Sequence, residues 1–220
     1  FNCLSMKDAT PKEQIMSKVR NALIEKTENP YAENEVILEV IRETDPNDEA
    51  EVAFAQELIA VGGNFIYCEN EHDFMDNLAD LMQDRSWPSI WCQNDRIVQL
   101  LHTAEIPHFK EPAGDENPLV GLTSCEKLVS RSGSILVSDA EVSHRGAFSF
   151  PDIHLVLAYN SQVTATIKSA LAGIKNKYNG SIPSQLTFIT GPSRTADIEK
   201  TLVKGAHGPK ELFVFLIYYF

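Results

Sequence analysis

Gly62-Gly63-Asn64-Phe65-Ile66-Tyr67-Cys68-Glu69-Asn70 and, twenty residues on, Ser89-Ile90-Trp91-Cys92-Gln93-Asn94 form the pattern that decides the fold. In each, a short apolar run of strand length is followed within two residues by an Asn able to cap a helix. The helix after Asn70 turns Phe74, Leu78, Leu81 and Met82 inward, and that after Asn94 turns Ile97, Leu100 and Leu101 inward. Upstream, Val52, Ala55, Leu58 and Ile59 share one face of a helix predicted over 48–61, which Gly62-Gly63 ends. Strands alternating with helices predict an α/β fold, a mostly parallel sheet with helices on both faces.

The same style continues to the C-terminus. A short strand is expected over 106–109, then a turn-rich break over 110–118. Strands follow over 119–123, 134–137, 153–159, 186–190 and 212–217. Helices are predicted over 124–130, 162–178 and 195–204, the middle one with Val163, Ile167, Ala170, Leu171 and Ile174 at helical spacing. At the other end, Thr10-Pro11-Lys12-Glu13 is a capping box that starts a helix running to about residue 26. The expected organisation is a helical arm over 6–45 and one α/β domain over 46–220. Met6 reads as a start, and Phe1 to Ser5 are set aside.

Charge and composition narrow the function. The chain has 220 residues, 43% of them hydrophobic, and a net charge of −12. Residues 1–118 hold 9 Lys/Arg against 24 Asp/Glu, and residues 119–220 hold 10 against 7. The acidic half opposes binding to phosphate backbones, so no nucleic-acid partner is expected. No apolar run approaches the ~20 residues a membrane helix needs, and no cationic segment precedes a signal-like run. Cys3, Cys68, Cys92 and Cys125 form no paired spacing, which fits a reducing cytoplasm and excludes a cluster ligated by a Cys motif of this chain. There is no GxGxxG after a strand, no GxSxG and no HxH or HxxxH.

Three polar segments can carry chemistry. Ile189-Thr190-Gly191-Pro192-Ser193-Arg194-Thr195-Ala196-Asp197-Ile198-Glu199 leaves a strand through a turn and groups Gly191, Ser193, Arg194, Thr195 and Asp197. Arg194 can clamp an anion through a bidentate fork. The alternative is structural: Thr195 as helix cap, Asp197 as dipole partner, Arg194 in an ion pair. Gly205-Ala206-His207-Gly208-Pro209 offers His207 as a general acid/base, or glycines that end a helix. In Ser143-His144-Arg145-Gly146, Arg145 is a ligand-binding candidate, whereas His154 opens an apolar strand and reads as structural.

The blocks Val120-Gly121-Leu122-Thr123, Ser132-Gly133-Ser134, Phe150-Pro151-Asp152-Ile153-His154, the ITGPSRTADIE run and GxHGP resemble, in order, the lactate-utilisation protein C family, the LUD domain. The resemblance covers 119–217. It implies a fold like that of the phosphosugar-isomerase and CoA-transferase group. It also implies a cytoplasmic subunit of a system that oxidises L-lactate to pyruvate, without a redox cofactor of its own and with iron–sulfur proteins as partners. The site set is then His207, Arg194 and Asp197 as catalytic candidates. Arg145, Thr123, Gly191, Ser193, Thr195 and Gly208 are the ligand contacts, a small carboxylate the expected ligand. Arg131 stands where many relatives carry an acidic residue before Thr-Gly-Thr. The competing expectation is a stand-alone enzyme of the same fold group acting on an anionic metabolite.

Overall fold

The computed structural model describes residues 10–24, 49–112, 118–141, 146–196, 202–204 and 208–218. The chain divides into two units, one ending at Glu43 and one starting at Thr44. The first contains helix α1 (Pro11–Ile24). Its capping box forms as the sequence predicts: the Thr10 backbone N–H and hydroxyl both donate to Glu13 Oε2 at 2.8 Å.

The second unit opens with α2 (Ala50–Ala60), β1 (Asn64–Cys68) and α3 (Glu71–Arg85), followed by β2 (Ile90–Cys92), α4 (Asp95–Thr103) and β3 (His108–Phe109). Next come β4 (Val120–Ser124), β5 (Lys127–Val129), β6 (Ser134–Ser138), β7 (Ile153–Tyr159), β8 (Val163–Thr164) and α5 (Ile167–Lys177). The series ends with β9 (Leu186–Ile189), β10 (Arg194–Ala196), β11 (Leu202–Lys204) and β12 (Glu211–Ile217). Both helix caps read from sequence are present. The Asn70 side chain accepts from the backbone of His72 and Asp73, and Asn94 from Arg96 and Ile97. Gly62, at φ +89°, ends α2 as the left-handed residue of a Schellman turn, its N–H on Ile59 and that of Gly63 on Leu58.

Six strands form one wholly parallel sheet in the order β1-β12-β7-β4-β2-β3. The central strands β7 and β12 are apolar on both faces, as a doubly covered parallel sheet requires. Leu155, Leu157, Phe213 and Phe215 meet Phe74 and Leu78 of α3 and Ile97 and Leu101 of α4. On the opposite face Val156, Val214 and Leu216 meet Phe54 and Leu58 of α2.

That second face also carries a smaller mixed sheet, β8-β5-β6-β9, which the sequence did not reveal. Leu128, Ile135 and Val137 lie in the core shared with α2, while Val129 and Leu136 pack on Ala170 and Ile174 of α5. The helix predicted over 124–130 is therefore corrected to strand β5. Leu128 and Val129 enter different cores, an alternation of period two that a helix cannot make. The helix predicted over 162–178 begins only at Ile167, capped by Thr166, because Val163 and Thr164 pair with β5. The helix predicted over 195–204 is also corrected: β10 and β11 form an antiparallel pair, with Thr195 opposite Val203. Residues 197–201 lie outside the described residues. β-branched residues at the paired positions suit the extended backbone.

Among the described residues no helix is long and apolar enough to cross a membrane.

Candidate functional site

The Gly191-to-Arg194 turn is built against the end of α2. Gly191 has φ +81°, and a Cβ there would lie 2.5 Å from the Val61 carbonyl oxygen, so the close approach and the backbone both require glycine. The Arg194 guanidinium donates to that same oxygen at 2.8 Å. It satisfies a carbonyl at the α2 C-terminus and places a cation at the negative end of the helix dipole. Ser193 N–H donates to Pro209 O at 2.8 Å, tying this turn to the one containing Gly208, whose φ is +136°. Arg194, Gly191, Ser193 and Gly208 are thus brought together, with Thr195 next along β10. Asp197, His207 and Arg145 lie outside the described residues. Since Arg194 to Ala196 is strand, the helix N-terminus expected beneath an anion is not at this place.

Thr123 sits apart, within the core. Its hydroxyl is 2.8 Å from His154 Nε2, and the two residues are 2% and 0% exposed. Burial pushes the His154 imidazole down to about 3, so the ring is neutral at ordinary pH. Its Nδ1 has no partner among the described residues.

A second polar constellation arises from the topology. β2 pairs with β4, but the chain leaves them in opposite directions: β2 leads through α4 to β3, and β4 leads through the small sheet to β7. Such a divergence opens a crevice at the carboxyl ends of a parallel sheet, the place where ligands bind in open α/β folds. At that place stand Gln93 and Asn94 after β2 and Ser124 at the end of β4. Asn94 Nδ2 donates to Ser124 Oγ at 3.2 Å, and Ser124 Oγ donates to Glu141 Oε2 at 3.3 Å. Lys177 Nζ donates to Glu141 at 2.5 Å and to Glu126 at 2.8 Å. Glu126 Oε1 accepts from Ser138 Oγ and Tyr178 OH, both at 2.6 Å. The buried Gln93 Oε1 has no partner among the described residues.

The Glu126 side chain is 1% exposed and Lys177 is 48% exposed. Burial alone would raise the Glu126 carboxyl. The hydrogen bonds from Lys177, Ser138 and Tyr178 outweigh it and hold the group below its ordinary value. Burial alone would lower the Lys177 amine, but the two carboxylates hold it above its ordinary value. Glu126 and Lys177 are therefore both charged, and one amine between two carboxyl groups is an arrangement suited to holding a polar group rather than to gripping an anion unaided. Close by, Glu71 Oε1 accepts from Arg96 at 2.8 Å and from Tyr159 OH at 3.1 Å, with the guanidinium over the tyrosine ring at 5.0 Å.

Sequence reasoning missed Glu126, Glu141 and Lys177 as a group. No short motif spans them, and Glu126 lay in a stretch read as helix. Cys68, Cys92 and Cys125 are buried, and burial pushes the first two thiols up to about 12 and Cys125 up as well, so none is a ready nucleophile. Among the described residues no group of three or more His, Cys, Asp or Glu could hold a metal ion.

Comparison with known proteins bears on this region. Residues 116–217 match the LUD domain family model. The chain is 26% identical over 166 residues to lactate utilization protein C of Bacillus licheniformis, covering 71% of this chain and 64% of the relative. It is 32% identical over 104 residues to lactate utilization protein C of Bacillus subtilis, covering 46% and 43%. It is also 32% identical over 97 residues to an uncharacterised protein of Neisseria meningitidis, covering 44% and 41%. The chain thus spans 41% to 64% of the length of these relatives. The crystal structure of a DUF162 family protein from Deinococcus radiodurans superposes with a TM-score of 0.57 at 16% identity, covering 76% of this chain and 96% of that one, a likeness of fold. The family resemblance read from the sequence is the one these comparisons find: residues 116–217 match the LUD domain model, and the chain is similar to proteins named lactate utilization protein C.

Proposed function

We propose that this chain serves lactate utilisation, as a cytoplasmic subunit that works with iron–sulfur proteins in oxidising L-lactate to pyruvate and carries no redox cofactor itself. The observation that carries the reading is the LUD domain over 116–217, together with relatives named for lactate utilisation. Oxidising lactate removes two electrons and two protons, and in this reading the electrons pass to the partners' clusters. The Gly191-to-Arg194 turn is the proposed surface for a small carboxylate, and the crevice between β2 and β4, at the other end of the parallel strands, is the proposed surface for a partner segment. Arg194, Asp197 and His207 stay the proposed catalytic side chains. Arg145, Thr123, Gly191, Ser193, Thr195 and Gly208 stay the proposed ligand contacts.

The test is an anaerobic affinity preparation of the chain from its native host, assayed for iron and for lactate-dependent dye reduction. Co-purifying iron with lactate oxidation is the expected result. A complex that oxidises lactate equally well after the chain is removed would overturn the proposal.

One observation favours a second reading, a stand-alone enzyme acting on an anionic metabolite. Glu126 is a buried carboxylate kept ionised beside the crevice. In that case the isolated, iron-free chain turns over a metabolite, and Glu126→Gln abolishes the turnover while the protein stays folded. Unchanged turnover in Glu126→Gln would dismiss this role for the carboxylate.

A further inference from the structure

Strand β1 is an edge strand. It pairs with β12 along Asn64–Cys68 and, among the described residues, has no strand on its other side. Beside it lies a groove of about 530 Å³ between β1 and α2, lined by Val52, Ala55, Ile59, Phe65, Tyr67 and Tyr218. Three of these large side chains are open: Val52 is 44%, Ile59 60% and Tyr67 50% exposed. An open strand edge beside an apolar groove is a template for another strand.

The charge along this edge is polar. α2 and β1 are joined by the tight turn at 61–63, so they run antiparallel. The N-terminal end of α2 carries Glu49 and Glu51 on the groove. Its C-terminal end carries the exposed Arg194 guanidinium, held on Val61. An edge with an acidic end and a cationic end is complementary to itself when turned through 180°.

We propose that the β1 edge is a self-association surface and that its occupant is β1 of a second copy of this chain, antiparallel about a two-fold axis through Ile66. Isologous pairing of this kind uses one patch twice. In that register Phe65 of one copy stands opposite Tyr67 of the other, on the groove face, twice per interface. Aromatic cross-strand pairs are among the better stabilisers of a sheet. Glu49 and Glu51 of each copy then lie toward Arg194 of the other, and the two α2 helices run antiparallel with opposed dipoles. The six-stranded sheets join into one continuous sheet, which also removes an exposed edge.

The test is sedimentation velocity of the full chain over a concentration series, with Tyr67→Lys and Ile59→Lys measured beside it. Both side chains are half exposed or more, so the variants keep the parent's unfolding midpoint. The expected result is a dimer for the parent and at least a tenfold weaker association for each variant. A further variant, Ile66→Cys, places a thiol on the axis. Mild oxidation should join two copies through that introduced thiol, seen as a disulfide-linked homodimeric peptide by mass spectrometry. A monomer at all concentrations overturns the proposal, as does a dimer untouched by Tyr67→Lys or a dimer without the cross-link. A groove filled by another protein, or by a segment of the same chain, would give the monomer result.

Discussion

Gly133 shows how much a single residue constrains here. Its φ is +59°, and a Cβ would lie 2.4 Å from Leu58 N and 2.5 Å from Glu57 C, against the backbone of α2. Gly133→Ala therefore meets both a backbone penalty of ~1 kcal/mol and an overpacking cost of about 1–3 kcal/mol. Gly180, at φ +84° with nothing within 4 Å, is the control: Gly180→Ala should cost only the backbone share. Urea midpoints of the two variants compare these terms, and equal losses would refute the close approach. His154 gives a pH prediction. Its pKa is depressed to about 3 from 6.5, so between those values the unfolded chain binds the extra proton. Stability is then full above pH 6.5 and falls toward pH 3, with a slope from this group of up to about 1.4 kcal/mol per pH unit. His154→Gln should flatten that limb of a stability-against-pH curve. The sequence marked His154 as structural and Thr123 as a ligand contact. It could not show that the two share a hydrogen bond, because residues 31 apart meet only when β4 and β7 pair.

At the scale of elements, the Glu126–Lys177–Glu141 cluster ties the end of α5 to the small sheet. Glu126→Gln leaves Lys177, Ser138 and Tyr178 with a weaker acceptor and should cost about 1–3 kcal/mol, read from chemical unfolding. The pH signs differ for the two partners. Glu126, with its pKa lowered, contributes above the ordinary value of 4.5 and loses that contribution as pH falls through the folded value. Lys177, with its pKa raised, contributes fully below 10.5 and loses its contribution as pH rises through the folded value. Asn94→Ala removes both the α4 cap and the bond to Ser124, so a loss of at least ~1 kcal/mol is expected, with altered function if the crevice is used. Such caps were legible in the sequence because capping is local: Thr10, Asn70 and Asn94 reach donors two or three residues away. The strands β5, β10 and β11 were not. Each has only three residues, too few for a period to declare itself, and each is fixed by its pairing partner.

For the molecule as a whole, among the described residues the cores on both faces of the parallel sheet and the one beneath α5 draw on residues from Phe54 onward. A fragment of residues 44–220 should therefore unfold cooperatively with a midpoint near that of the full chain. Loss of the cooperative transition would show that residues 1–43 are needed for folding. The sequence by itself determined the helix caps, the strands β1, β2, β4, β7 and β12, the parallel α/β class and the family resemblance, though it read β1 as buried where the structure leaves it an open edge with Tyr67 half exposed. These rest on local hydrogen bonds, on apolar runs that need no partner to be read, and on a string of residues. Only the tertiary structure decided that a second sheet covers one face, that Arg194 closes the end of α2, and that Asn94, Ser124, Glu126, Glu141 and Lys177 meet at one crevice. Those outcomes depend on contacts between residues 17 to 133 positions apart, whose geometry exists only once the strands have found their order.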